Sequence, residues 1–174
     1  YLHKIITICT RFLNEYFTAM HEVIKEFNGH ILNYIGDSIM VVFGAPEKLK
    51  NHENQAVKCS LKMKEKLKEL NHKWDEDETS RYWKNHDIES ITMRIGIHTG
   101  SVIAGNLGSQ EMLQYSTIGD TVNVSARLEQ ANKDFSTEIS FSHEIYTALT
   151  KELYDQSSLS GEITLKGRTT PTKV

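Results

Sequence analysis

Three polar side chains in this sequence have types and spacings that could do chemistry. Asp37 follows Gly36 between two β-rich runs, residues 30–35 and 38–44, so its carboxylate stands at the tip of a predicted hairpin. A carboxylate there could hold Mg2+, a hard cation that takes oxygen ligands and keeps company with phosphates. Asn123 and Arg127 are four residues apart in an apolar-periodic segment and project from one helix face. An amide and a guanidinium one turn apart could hold a sugar and a phosphate, because Arg suits planar oxyanions. Each feature also has a plain structural reading. Asp beside Gly is ordinary turn chemistry, and Asn123, Arg127 and Glu129 could form a solvated helix face.

The elements that must position these residues follow from periodicity. Residues 4–27 place Ile5, Ile8, Phe12, Tyr16, Met20, Val23, Ile24 and Phe27 on one helical face, with Gly29 to stop the helix. Residues 53–74 read as a second helix, apolar at Ala56, Val57, Leu61, Met63, Leu67 and Leu70, with lysines 58, 62, 64, 66 and 68 on its wet side. The polar stretch 75–87 reads as a loop. Ile91, Met93, Ile95 and Ile97 alternate with polar residues, the pattern of a half-buried strand. Residues 102–104 and 112–118 are predicted strands, with Gly105 and Gly108 between them. A helix is expected over 121–132, with Val124, Leu128 and Ala131 on one face, and a short strand over 138–141. Ser142 reads as the N-cap of a further short helix, and 163–165 as a last strand before Lys166-Gly167-Arg168. Hairpins mixed with crossovers predict an α+β fold: a mixed, mainly antiparallel sheet covered by helices.

Composition narrows the function. The chain has 174 residues, 39% hydrophobic and 25% charged, with a net charge of −3, which suits one domain with its own core. No basic face is available for a nucleic acid, and the apolar runs are too short for membrane insertion by this segment. Cys9 and Cys59 lie in apolar-periodic segments, so both are expected as buried thiols in a reducing, intracellular and cytoplasmic setting. The opening at Tyr1, already in helix-like sequence, suggests a piece of a longer chain, and a membrane anchor elsewhere in the parent stays open. The glycine-bearing turns at 96–100 and 105–108 match neither a Walker loop nor a dinucleotide fingerprint. His21, His52 and His98 have no metal-ligand spacing.

Taken together, the motifs carry a resemblance that none carries singly. Residues 34–46 (Tyr34-Ile35-Gly36-Asp37-Ser38 through Ala45-Pro46) resemble the hairpin of class III adenylyl and guanylyl cyclases. Arg94-Ile95-Gly96-Ile97-His98-Thr99-Gly100 is similar to their central strand, and residues 118–129 (Ile118-Gly119-Asp120-Thr121-Val122-Asn123 through Glu129) to their catalytic helix. Leu13-Asn14-Glu15-Tyr16-Phe17 fits the first helix and Leu165-Lys166-Gly167 the closing strand. The matches run in family order over nearly the whole chain. The resemblance implies a single cyclase domain over 1–174, with a ferredoxin-like core, lacking its first strand.

It also implies a mechanism. ATP or GTP becomes a 3′,5′-cyclic nucleotide and pyrophosphate at sites shared across a homodimer, or with a cyclase-like heterodimer partner. Two Mg2+ (or Mn2+) ions held by two aspartates activate the ribose hydroxyl. Asp37 matches the second of those aspartates; the first belongs to a strand ahead of the first helix. Asn123 matches the residue that orients the ribose and Arg127 the one that stabilises phosphate charge. Asn33 and Ser116 stand at the base-reading positions, where adenylyl cyclases carry Lys and Asp or Thr, and guanylyl cyclases an acidic residue at the first. Lys166 or Arg168 would reach the triphosphate. The alternative implied by the two unusual base-reading residues is a degenerate domain acting as a regulatory or structural dimerisation module.

Overall fold

The computed structural model describes residues 2–164 and 172–174, with side chains from residue 9 onward. The first helix, α1 (Leu2–Glu26), ends at Asn28 and Gly29, and Asn28 takes a left-handed φ of 59°, a conformation Asn tolerates at a helix end. Strands β1 (Gly29–Ile35) and β2 (Ser38–Phe43) then pair antiparallel around Gly36-Asp37, as the sequence predicts. Helix α2 (His52–Glu76) runs back along α1. Between them lies the main core, in which Met20, Ile24, Cys59 and Trp74 are almost fully buried. Trp74 donates its indole N–H to Glu15 of α1 at 2.9 Å, which satisfies its one polar atom inside the core.

The polar stretch after α2 is more structured than its composition suggests. It contains a short helix, α3 (Arg81–Lys84), whose Trp83 ring packs 5.2 Å from Phe12 and 5.6 Å from Trp74. Two adjacent aromatics in a run of charges leave no period to read, yet Trp83, partly buried while Tyr82 stays exposed, folds the segment back on the core. Thr79 and Ser80 are buried ahead of it.

The strand expected over residues 91–97 shortens to β3 (Ile95–Ile97). At Ile91 a side chain replaces a strand neighbour: the Asn71 amide donates to Ile91 O at 2.8 Å and accepts from Ile91 N at 2.9 Å. Strands β4 (Ile103–Ser109) and β5 (Met112–Ile118) form an antiparallel hairpin. Gly105 and Gly108, expected between strands, lie within β4, and the turn falls at Gln110-Glu111. Helix α4 (Asp120–Phe135) follows, then β6 (Ile139–Phe141), which pairs parallel with β3.

Helix α5 (His143–Ala148) begins after Ser142 as predicted, but Ser142 does not cap it with its hydroxyl. That hydroxyl meets His98 Nδ1 at 2.7 Å instead. After α6 (Lys151–Asp155), strand β7 (Glu162–Ile163) pairs with β8 (Thr172–Lys173), a strand the sequence did not reveal. Leu165, Lys166 and Arg168 lie outside the described residues.

Hydrogen bonding among the described residues thus runs in four two-stranded ladders, three antiparallel and one parallel, rather than one continuous sheet. The α+β class stands. The expectation for the cysteines holds only for Cys59: Cys9 is exposed on α1. Burial, and secondarily the charge of Glu26, push the Cys59 thiol up to about 12. No described helix is long and apolar enough to cross a membrane.

Candidate functional site

Asp37 is presented by a two-residue turn. Ile35 and Ser38 close the ladder on either side of it, and Gly36 supplies the left-handed φ of 62° that an L side chain resists. The Asp37 carboxylate is exposed. The tip leans on α1, where the Tyr34 ring lies 4.6 Å from Phe17 and Phe17 lies 5.5 Å from Tyr16. Burial, and secondarily the charge of Asp37, push the Tyr16 phenol above its ordinary value.

A β-bulge decides where Asn33 points. The register runs Ile31↔Val41, then Asn33↔Met40, so Leu32 is the unpaired extra residue. Val41 and Ile39 pack into the main core. Their partners Ile31 and Tyr34 therefore share the helix-covered face, and Asn33 falls on the opposite one. The bulge frees the Leu32 carbonyl, which Gln114 of β5 takes up by donating its amide N–H at 2.9 Å. The His30 ring meets Tyr115 edge-on at 5.5 Å. These contacts step down β5 as they step up β1, so the strands lie antiparallel side by side. Asn33 and Ser116 are brought onto adjoining strands but not into register, separated by about three residue steps, ~10 Å.

Helix α4 carries Asn123, exposed, and Arg127, half-buried, one turn apart on one side. The adjoining side, Val124, Leu128 and Ala131, about a quarter of the way round the helix, is buried. The helix approaches β3 so closely that a Cβ on Gly96 would stand 2.1 Å from Ser125 O and 2.2 Å from Glu129 N. Only glycine permits this backbone-on-backbone approach. Further along, the buried Asn132 amide donates to Ile95 O at 3.0 Å and accepts from Thr137 Oγ1 at 2.7 Å and Ser140 Oγ at 2.8 Å. One side chain thereby joins α4, β3 and β6. Glu129 of this helix pairs with Arg94, just ahead of β3, whose Nε lies 2.9 Å from its carboxylate.

The sequence singled out neither Gln114 nor Asn132, and weighed Gly96 only as part of a glycine-bearing turn, whereas it lies inside β3. Gly96 could have been found, since a glycine inside a strand pattern marks a close backbone approach. Gln114 and Asn132 carry no local signal, because their partners are distant in sequence.

Among the described residues, the tip by itself is an incomplete cation site. Asp37 is a hard oxygen donor, but no group of three or more His, Cys, Asp or Glu among the described residues could hold a metal ion. Two ions would need donors from outside the described residues.

Comparison with known proteins bears on what these pieces are. Adenylate cyclase 1 of Rhizobium meliloti (strain 1021) is 35% identical over 127 residues, covering 73% of this chain and 18% of that protein. Receptor-type guanylate cyclase gcy-28 of Caenorhabditis elegans is 33% identical over 156 residues, covering 90% of this chain and 11% of its own length. The chain thus spans less than a fifth of either relative. The crystal structure of the guanylyl cyclase Cya2 superposes with a TM-score of 0.76 at 29% identity, over 96% of this chain and 78% of that one. Residues 4–174, which include the hairpin and the glycine-seated helix, match the family model described as the adenylate and guanylate cyclase catalytic domain, and the chain belongs to that family.

Proposed function

We propose that this domain converts ATP or GTP to a 3′,5′-cyclic nucleotide and pyrophosphate, at a site shared between two cyclase domains, in intracellular signalling. The observation that carries the reading is the pairing of Asn123 and Arg127 on one side of α4, a helix fixed to β3 by the Gly96 contact. A scaffold has no need of an amide and a guanidinium one turn apart on a helix held that rigidly. Asn123 hydrogen-bonds the ribose and keeps its 3′-hydroxyl aimed at the α-phosphate. Arg127 meets the negative charge that grows on that phosphate as the new O–P bond forms and pyrophosphate leaves. Asn33 and Ser116 hydrogen-bond the purine edge, each able to donate and accept. Lys166 or Arg168 steadies the triphosphate. Asp37 contributes one carboxylate to a divalent-cation site, Mg2+ or Mn2+, that donors beyond the described residues complete; such ions supply Lewis-acid activation of the hydroxyl. The partner is a second copy or a cyclase-like heterodimer partner, and Asp37 of one domain serves the site formed with Asn123 and Arg127 of the other. Its nucleotide substrates imply work inside the cell, whether or not the parent protein carries an anchor elsewhere.

The test is complementation in the intact protein. Asp37→Ala is expected to lose turnover with Mn2+ and ATP or GTP, and Arg127→Ala to keep only a small measurable rate, both read as cyclic nucleotide by mass spectrometry. Mixed one to one, they should recover about a quarter of wild-type activity, because half the dimers pair the two variants and each of those holds one intact site. No recovery from folded, mixed dimers would reject the shared site. No product from either nucleotide with the wild-type protein would leave the regulatory dimerisation module.

A further inference from the structure

Helix α4 begins without a cap of its own. Gly119 occupies its N-cap position and has no side chain to accept from the first-turn N–H groups. The turn is held from outside instead: Thr121 Oγ1 donates to Ser101 O at 2.9 Å. Ser101 belongs to the β3–β4 connection, and that connection is itself fastened at two other points. Thr99 Oγ1 lies 3.2 Å from His52 Nε2 at the start of α2. His98 Nδ1 lies 2.7 Å from the hydroxyl of Ser142, which is fully buried ahead of α5. Gly100 presses so close that a Cβ there would stand 2.8 Å from Thr121 Oγ1. The loop under Thr121 is therefore fixed from α2 and from α5 before it meets α4.

Asn123 lies two residues beyond Thr121, at the end of the tethered turn. Arg127 lies in the next turn, between Ser125 and Glu129, where the Gly96 contact already sets the helix. The two site residues are thus held by separate means.

We propose that Thr121 is a positioning residue for Asn123: its hydroxyl ties the uncapped first turn of α4 to the braced β3–β4 connection and so fixes where the Asn123 amide stands. The inference rests on the reading of Asn123 as the ribose-orienting group. It requires that loss of the Thr121 hydroxyl disturb Asn123 and spare Arg127.

The experiment measures kcat, KM and thermal melting for Thr121→Val and Thr121→Ser in the intact protein. It adds Asn123→Ala, Arg127→Ala and each double with Thr121→Val. Thr121→Val, which keeps the shape and removes the hydroxyl, is expected to lower kcat about tenfold with KM changed less than about twofold. Thr121→Ser should restore most of the rate. Thr121→Val should add nothing to Asn123→Ala but multiply with Arg127→Ala, because coupling is confined to groups that act through one another. Wild-type kcat in Thr121→Val would overturn the proposal. So would equal multiplication with both partners, the mark of a general loss of folding that the melting curve would also register. Wild-type turnover in Asn123→Ala would instead bring down the underlying reading of Asn123.

Discussion

The β1–β2 hairpin and helix α4 each carry part of the proposed site, and they are secured in opposite ways. Helix α4 is seated by backbone against backbone at Gly96 and by one buried amide, Asn132, that joins three elements. The hairpin tip stands in solvent, steadied by the Phe17 and Tyr34 rings and by the geometry of Gly36. The difference fits the roles proposed. A group that answers charge developing in a transition state must already be in place, since reorganisation during the reaction adds to the barrier. A carboxylate that shares a cation with a partner domain gains from a little freedom to meet it.

The same substitution made in both regions tests this contrast most directly. Gly96→Ala is expected to cost at least about 3 kcal/mol, because its methyl meets backbone that cannot yield without moving α4. Denaturant unfolding would show it, and a near-neutral result would break the comparison. Asn132→Ala should rank next, at about 2–4 kcal/mol, by stranding the Thr137 and Ser140 hydroxyls and the Ile95 carbonyl. Gly36→Ala meets no atom within 4 Å, so only its left-handed φ opposes it. It should cost about 1 kcal/mol.

The smallest effect is a titration. Because the Tyr16 phenol is raised above 10.0 by burial first and by Asp37 second, it contributes stability that is present below its ordinary pKa. That contribution is lost as pH climbs through the raised value. Asp37→Asn should lower the Tyr16 pKa part of the way back, followed by ultraviolet difference absorbance, and soften the alkaline loss of stability. An unchanged Tyr16 titration would mean that the tip does not sit where Asp37 feels α1.

What was legible in the sequence divides along similar lines. The hairpin, α1, α2, α4 and β5 announce themselves because their apolar residues recur at the period of the element that buries them. Turn chemistry and helical spacing mark Asp37, Asn123 and Arg127 as candidates with a plain structural reading beside each, and the family resemblance alone raises Asn33, Ser116, Lys166 and Arg168. The α3 excursion was hidden because Tyr82 and Trp83 among charges make no pattern. The shortened β3 was misjudged because Asn71 imitates a neighbouring strand from 20 residues away. Cys9 shows the limit of periodicity in another way, since an apolar pattern does not say how far along a helix the covering partner extends.

The extra residue at Leu32 constrains how this chain can change. A strand alternates faces in steps of two, and the bulge absorbs the extra residue, so Asn33 still shares a face with Met40 and Tyr34 with Ile39. Deleting Leu32 would leave a plain ladder in which Ile31, Asn33 and Tyr34 keep the partners and faces they hold now. What it would remove is the carbonyl that accepts from Gln114 of β5 at 2.9 Å, and with it a tie between the hairpin and the strand that carries Ser116. A length change between Gly29 and the tip should therefore loosen the seam between β1 and β5 while leaving the hairpin itself intact.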